Sequence, residues 1–213
     1  MDGNSIKHQK LLKQVENYYT QKIEEHGATH LGVDWNSIES QNLRFDQLLK
    51  ITGDERDCSI IDYGCGYGAM ASYIRRNGYR GEYFGFDISE AMIKRAREQK
   101  LKLPDCTFVS NLNSFGIADY TIASGIFNVK QQIPNNEWFA YVVDTIRILS
   151  EHSLKGFAFN MLTSYSDKDK MRPDLFYGDP LFFIDHCIRT YSRHVAMLHN
   201  YGLYEFTILV HIK

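Results

Sequence analysis

The chain has 213 residues, of which 44% are apolar and 23% charged, and a formal net charge of −2. That is enough apolar side chain for one sizeable core, and the balance argues against a disordered chain, a membrane-embedded one and a general polyanion binder. The four cysteines, Cys58, Cys65, Cys106 and Cys187, are widely spaced and fit neither a zinc pattern nor a dense disulfide framework, so reduced thiols and no metal site are expected. No linker rich in Pro, Gly or Ser divides the chain, so one domain over residues 1–213 is expected, as a monomer or homodimer. No apolar run is long enough to span a bilayer, and Met1-Asp2-Gly3-Asn4 lacks a signal peptide's features. A cytoplasmic location is the corresponding expectation.

In chain order, the first pattern is helical. From Ile6 to about Glu25, Leu11, Leu12, Val15, Tyr18, Tyr19 and Ile23 recur near helical spacing, which predicts an amphipathic cover for the elements that follow. A glycine-punctuated loop, His26 to Trp35, leads to a second predicted helix. Asn36 with Glu39 is its candidate capping box, and Leu43, Phe45, Leu48 and Leu49 are its apolar face. Residues 1–50 thus form a helical cap or lid, with Arg44 among the apolar positions.

Cys58 to Asp87 carries the strongest signal. Cys58-Ser59-Ile60-Ile61 suits a strand buried on both faces, and Asp62-Tyr63-Gly64-Cys65-Gly66-Tyr67-Gly68 follows it directly. The alternating glycines permit a sharp turn and bring bare backbone up to a ligand. Met70, Tyr73 and Ile74 then recur at helical spacing, Gly78 ends that run, and Tyr83-Phe84-Gly85-Phe86 forms a second strand tipped by Asp87. Strand, glycine turn, helix, strand and acidic tip make half of a mononucleotide-binding unit. A carboxylate at Asp62 would repel a pyrophosphate but suit a ligand with a positive amino group. S-adenosylmethionine (SAM), an adenosine bearing an ammonium and a sulfonium, is such a ligand. Asp87 suits the ribose diol of any nucleoside.

Next, Ser89 can cap a helix through Ala91, Met92, Ile93 and Ala96 to about Lys100, Pro104 and Asp105 break it, and Cys106 to Val109 is a third strand. Ser110-Asn111-Leu112 follows. Asp119 to Gly125 is a fourth strand, running out where the order of such a sheet reverses, which puts Ser124 and Gly125 beside a ligand. Asn135 or Asn136 opens a helix whose stripe of Trp138, Tyr141, Val142, Thr145, Ile148 and Leu149 is assigned to the core. Gly156 to Leu162 is a fifth strand. Residues 163–180 form a long insertion, where Tyr165, Lys168, Lys170, Arg172 and Tyr177 would suit an anionic or sugar-like acceptor. Pro180 opens a last helix, and His194–Leu198 with Leu203–Ile212 predict an antiparallel hairpin.

On Asp62-x-Gly64-x-Gly66-x-Gly68, Phe86-Asp87-Ile88-Ser89-x-x-Met92 and the element order behind them, the chain from Cys58 onward resembles the class I SAM-dependent methyltransferases of the small-molecule type. The resemblance implies a three-layer, Rossmann-like α/β sandwich: a mostly parallel seven-stranded sheet with a C-terminal antiparallel hairpin and an N-terminal helical cap. It implies SAM as cofactor, S-adenosylhomocysteine (SAH) as product, and a cofactor site of Arg44, Asp62, Gly64, Gly66, Gly68, Asp87, Ile88, Asn111, Leu112, Ser124 and Gly125. In that set Arg44 would fork onto the methionyl carboxylate. Asn111, standing where Asp is commoner, would meet the adenine amino group, with an apolar neighbour packed on the ring.

Ser124-Gly125-Ile126-Phe127 stands where amide and exocyclic-amine methyltransferases carry an Asn/Asp-Pro-Pro-aromatic tetrad, and the Pro-Cys nucleophile of pyrimidine carbon methylation is absent. The expected acceptor is a small molecule methylated on oxygen or nitrogen, with no nucleic-acid or membrane partner. For a hydroxyl acceptor, a histidine can take the proton. His26 and His30 sit in the loop expected to border the pocket, and His199 on the turn after the sixth strand. Two other readings stay open: a nicotinamide-dependent oxidoreductase on a similar half-fold, which Asp62 opposes, and a catalytically silent SAM- or nucleoside-binding domain.

Overall fold

Each apolar run forms a strand of one sheet in the computed structural model, which describes residues 3–35, 37–100, 103–111 and 116–212. Two helices, α1 (Gly3–His26) and α2 (Ile38–Leu49), precede β1 (Ile60–Tyr63), α3 (Ala69–Arg76), β2 (Tyr83–Phe86), α4 (Glu90–Lys100) and β3 (Cys106–Val109). The second half runs β4 (Ala118–Ala123), α5 (Asn135–Glu151), β5 (Ser153–Leu162), α6 (Pro180–Thr190), β6 (Val195–Leu198) and β7 (Glu205–His211). The strand order is β3-β2-β1-β4-β5-β7-β6. Strands β1 to β5 pair in parallel, and β7 is antiparallel to both β5 and β6. This is the mostly parallel seven-stranded sheet with a terminal antiparallel hairpin that the sequence predicts.

Side-chain alternation sorts the core into two layers. Phe157, Phe159 and Met161 of β5, with Phe206, Ile208 and Val210 of β7, pack under α5 and α6. Ala158 and Leu209 point the other way, into a cluster with Phe45 and Leu48 of α2, Met70 and Ile74 of α3, and Ile93 of α4. The helices of the first crossovers therefore share one face with α2, and those of the last share the other.

The crossover from β3 to β4 consists of residues 110–117 alone. A helix-bearing parallel connection takes about a dozen residues or more, so this one cannot supply a covering helix. The N-terminal helix fills that role: Leu11 of α1 joins Tyr63, Phe86 and Tyr141 in the α5 layer, with Leu12 and Val15 packed against them. Further along α1, Thr20 hydrogen-bonds Ser89 at 2.8 Å, and Ile23 packs with Tyr67 and Met92.

Helix starts follow their capping chemistry. Ser89 Oγ accepts from Met92 N at 3.3 Å, and Asp179 Oδ1 accepts from Leu181 N at 3.0 Å ahead of Pro180. The cap of α2 is Ser37, whose Oγ accepts from Ser40 N at 3.1 Å; the expected Asn36, like Leu112, lies outside the described residues. Strand β5 begins at Ser153, before the expected Gly156, because Ser153 still pairs with Ala118 across a register shift. Residues 163–180 are tied to the loop after β4: Phe176 N donates to Asn128 O at 2.8 Å, Gln131 N donates to Asp174 O at 2.9 Å, and Val129 bridges Leu175. Among the described residues no helix is long and apolar enough to cross a membrane.

Phe183 is fully buried, with ring centroids 5.1 Å from Phe182, 6.4 Å from Phe159 and 6.3 Å from Phe206. Phe183→Ala should cost about 3–5 kcal/mol of stability, the range for emptying an aromatic core position. Urea unfolding checks this, and a loss under about 1 kcal/mol would mean the α6 layer collapses around the gap.

Candidate active site

A cavity of about 260 Å³ opens at the C-terminal ends of β1, β2 and β4. Asp62, Gly64 and Gly66 of the first turn, Asp87 and Ile88 after β2, and Ser124 and Gly125 after β4 form its floor, while Tyr19, Val33, Trp35 and Gln41 of the N-terminal cap close over it. The turn requires glycine at Gly64, where φ is +86° and a Cβ would stand 2.3 Å from Ile126 Cγ2.

Asp62 is buried in the cavity wall. The Tyr83 hydroxyl donates to its Oδ2, but Oδ1 has no hydrogen-bond partner among the described residues. Burial pushes the carboxyl up to about 7, against the opposing effect of the Tyr83 bond. An unpaired buried acceptor costs about 1–3 kcal/mol, and an ammonium placed on Oδ1 would relieve that cost and ionise the group. Ser124 Oγ, also on the cavity wall, is a second buried polar atom without a partner among the described residues.

Asp87 is fixed by two backbone donors, Gly66 N to Oδ2 and Ser89 N to Oδ1, both at 2.9 Å. Burial raises its carboxyl to about 6, with these two bonds acting the other way. Each oxygen keeps a further lone pair for a ribose diol. Gln41 Oε1 accepts from the Tyr67 hydroxyl at 3.4 Å, which leaves the amide nitrogen as a donor on the cavity wall. The remaining wall is apolar and tyrosine-rich. Burial raises the hydroxyls of Tyr19 and Tyr63 well above their ordinary range and that of Tyr141 to about 12, so all three remain donors at working pH.

The cavity thus brings together Asp62, Gly64, Gly66, Asp87, Ile88, Ser124 and Gly125. Gly68 stands behind the wall, preceding α3 against the Phe108 ring, and Asn111 is exposed and outside the lining. Arg44 is corrected. Its guanidinium is buried against the Glu205 carboxylate and does not line the cavity, so it offers no free fork for a ligand carboxylate. The histidines lie apart from the cavity: His26 and His199 are exposed, His30 is half-buried, and none lines it.

Tyr165, Lys168, Lys170, Arg172 and Tyr177 likewise stay outside the lining; Arg172 pairs with Asp174 at the surface, and Tyr177 Oη accepts from Arg172 N. Conversely, Tyr141 and Ile148, assigned to the core by their helical stripe, line the cavity, because α1 leaves room between itself and α5. Trp35 and Asn160 escaped the sequence reading as site residues. A polar side chain in the middle of the apolar run of β5 was the available signal for Asn160.

A methyltransferase-domain family profile matches residues 54–137. Rv1506c of Mycobacterium tuberculosis, which bears a provisional methyltransferase name, is 47% identical over 162 residues, covering 76% of this chain and 98% of that one. Among solved structures, magnesium protoporphyrin IX methyltransferase (ChlM) from Synechocystis PCC 6803 with bound SAH is similar at 14% identity and a TM-score of 0.64, covering 100% of both chains. The Pnkp1/Rnl/Hen1 RNA repair complex is similar at 15% identity and a TM-score of 0.58, covering 95% of this chain and 48% of that one. At these identities the two structures share its fold.

An ammonium binds the ionised form of Asp62, so with a carboxyl near 7 SAH affinity should fall about tenfold between about pH 8 and pH 6, one unit of pH being worth a factor of ten. Asp62→Asn should weaken binding most at pH 8 and flatten the profile. Calorimetric titration across that range checks the sign; affinity that rises toward pH 6 would remove the ammonium from Asp62.

Proposed function

Because the chain belongs to the class I SAM-dependent methyltransferases, we propose that it methylates a small, uncharged and largely apolar molecule on an oxygen or amine nitrogen. The observation that carries this reading is the lining of the cavity. Its described charged groups are Asp62 and Asp87, neither Lys nor Arg is among them, and the surface beyond the carboxylates is largely apolar and includes Leu12, Val15, Tyr19, Ile126, Tyr141 and Ile148. A nucleic acid is held chiefly through Lys and Arg on its phosphates. A largely apolar chamber suits a compact ligand.

In this proposal Asp62 takes the cofactor's ammonium, Asp87 its ribose, and Gln41 its carboxylate. When bound, SAM supplies a methyl group on a positively charged sulfur; the acceptor's lone pair forms the new bond as the S–C electron pair returns to sulfur. Val33, Trp35 and Tyr19 keep water from the reacting atoms, and their contribution is positioning. The acceptor's proton leaves to solvent.

Incubation with methyl-labelled SAM and two acceptor panels, small phenols, alcohols and aromatic amines in one and RNA oligonucleotides in the other, tests the reading. Label in the small-molecule panel is expected, and label confined to RNA would contradict it. Replacing His26, His30 and His199 together by Gln should change the rate by less than about threefold, whereas loss of a general base costs about a hundredfold or more.

A further inference from the structure

A buried chain of polar groups leads from the cap to the cavity floor. Arg44 Nε of α2 donates to both carboxylate oxygens of Glu205 on β7 at 2.9 Å, Nη2 donates to Oε1, and Nη1 donates to Ser40 O at 2.9 Å. Asn160 Nδ2 on β5 donates to Glu205 Oε2 at 2.8 Å, and Asn160 Oδ1 accepts from the Gly125 N–H at 2.7 Å. Arg44 also stacks on Trp35, 4.0 Å from the ring centroid. The far edge of that indole lies on Gly125, where φ is +72° and a Cβ would stand 2.1 Å from Trp35 Cη2. The contacts therefore close a ring: Trp35, Arg44, Glu205, Asn160, Gly125 and back to Trp35.

Arg44, Glu205 and Asn160 are 7%, 1% and 0% exposed. Burying such a pair is a poor way to gain stability, because desolvation offsets the attraction and packed apolar residues would join α2 to the sheet as well. Direction is what the polar chain adds. The carboxylate fixes the plane of the guanidinium, the guanidinium fixes the indole, and the amide fixes the backbone on which the indole rests. We propose that Arg44, Glu205 and Asn160 are positioning residues that seat Trp35 on Gly125 and thereby set how tightly the closed cavity holds its cofactor, a role that rests on the SAM reading above.

The test titrates SAH into the wild type, Glu205→Gln, Arg44→Lys, Trp35→Ala and the Glu205→Gln/Trp35→Ala double variant. Emission from Trp35, taken as the difference from Trp35→Phe, is followed in parallel. Lysine keeps the buried charge paired but can neither fork nor stack, so Arg44→Lys serves if Glu205→Gln does not fold. Each folded relay variant should weaken SAH by at least about fivefold and shift Trp35 emission to the red, and the double variant should bind as weakly as Trp35→Ala alone, since coupled residues are non-additive. Unchanged affinity and emission in a folded relay variant would overturn the relay. Losses that add fully in the double variant would do so too, because they mark general loosening. A wild type that takes no SAH would instead overturn the cofactor reading itself.

Discussion

The ligand end of this sheet depends on one buried carboxylate. Asp62 stands at the end of a strand whose four residues are all buried, and the glycine turn begins two residues later. One oxygen is satisfied by Tyr83 and the other by nothing among the described residues. A buried charge without a partner is costly, so the group is held toward its neutral form until a cation arrives. That ties the chemistry of the ligand to the strain of the apo site: an ammonium gains there what a phosphate would lose. In the proposed binding mode Asp87, held by backbone donors from the same turn and from the start of α4, places the ribose relative to that ammonium.

A second constraint comes from connectivity. Because residues 110–117 are too few to carry a helix back across the sheet, the first helix of the chain covers β1 and β2. The cavity wall is therefore built from the N-terminal cap as much as from the turns after β1, β2 and β4. Leu12, Val15, Tyr19, Val33 and Trp35 all come from residues before the first strand, and they meet Ile126, Tyr141 and Ile148 from the other half. In the proposed reading the acceptor meets this N-terminal segment, and function on a shared fold is set by such site residues and not by the architecture.

Local patterns were readable in the sequence because their causes are local. Apolar strand runs, the glycine turn, the Ser89 cap, Pro180 at the start of α6 and Asp87 at a strand tip need only neighbouring residues to be recognised. What escaped depends on partners distant in sequence. Arg44 looked free for a ligand because Glu205, 161 residues away, could not be foreseen beside it. The histidines looked available because a loop's composition does not say which way its side chains turn. Tyr141 and Ile148 do pack in the α5-layer core as the helical stripe indicates, but a stripe marks burial and does not show that a cavity also borders it.

The central claim is that Asp62 ionises against the ammonium of the cofactor. Calorimetry of SAH binding at about pH 6.5, in two buffers of different ionisation enthalpy, counts the protons exchanged. With the carboxyl near 7 in the free protein, the account predicts release of a large fraction of one proton by the wild type and little by Asp62→Asn. SAH binding with no net proton release, or equal release from both proteins, would contradict it.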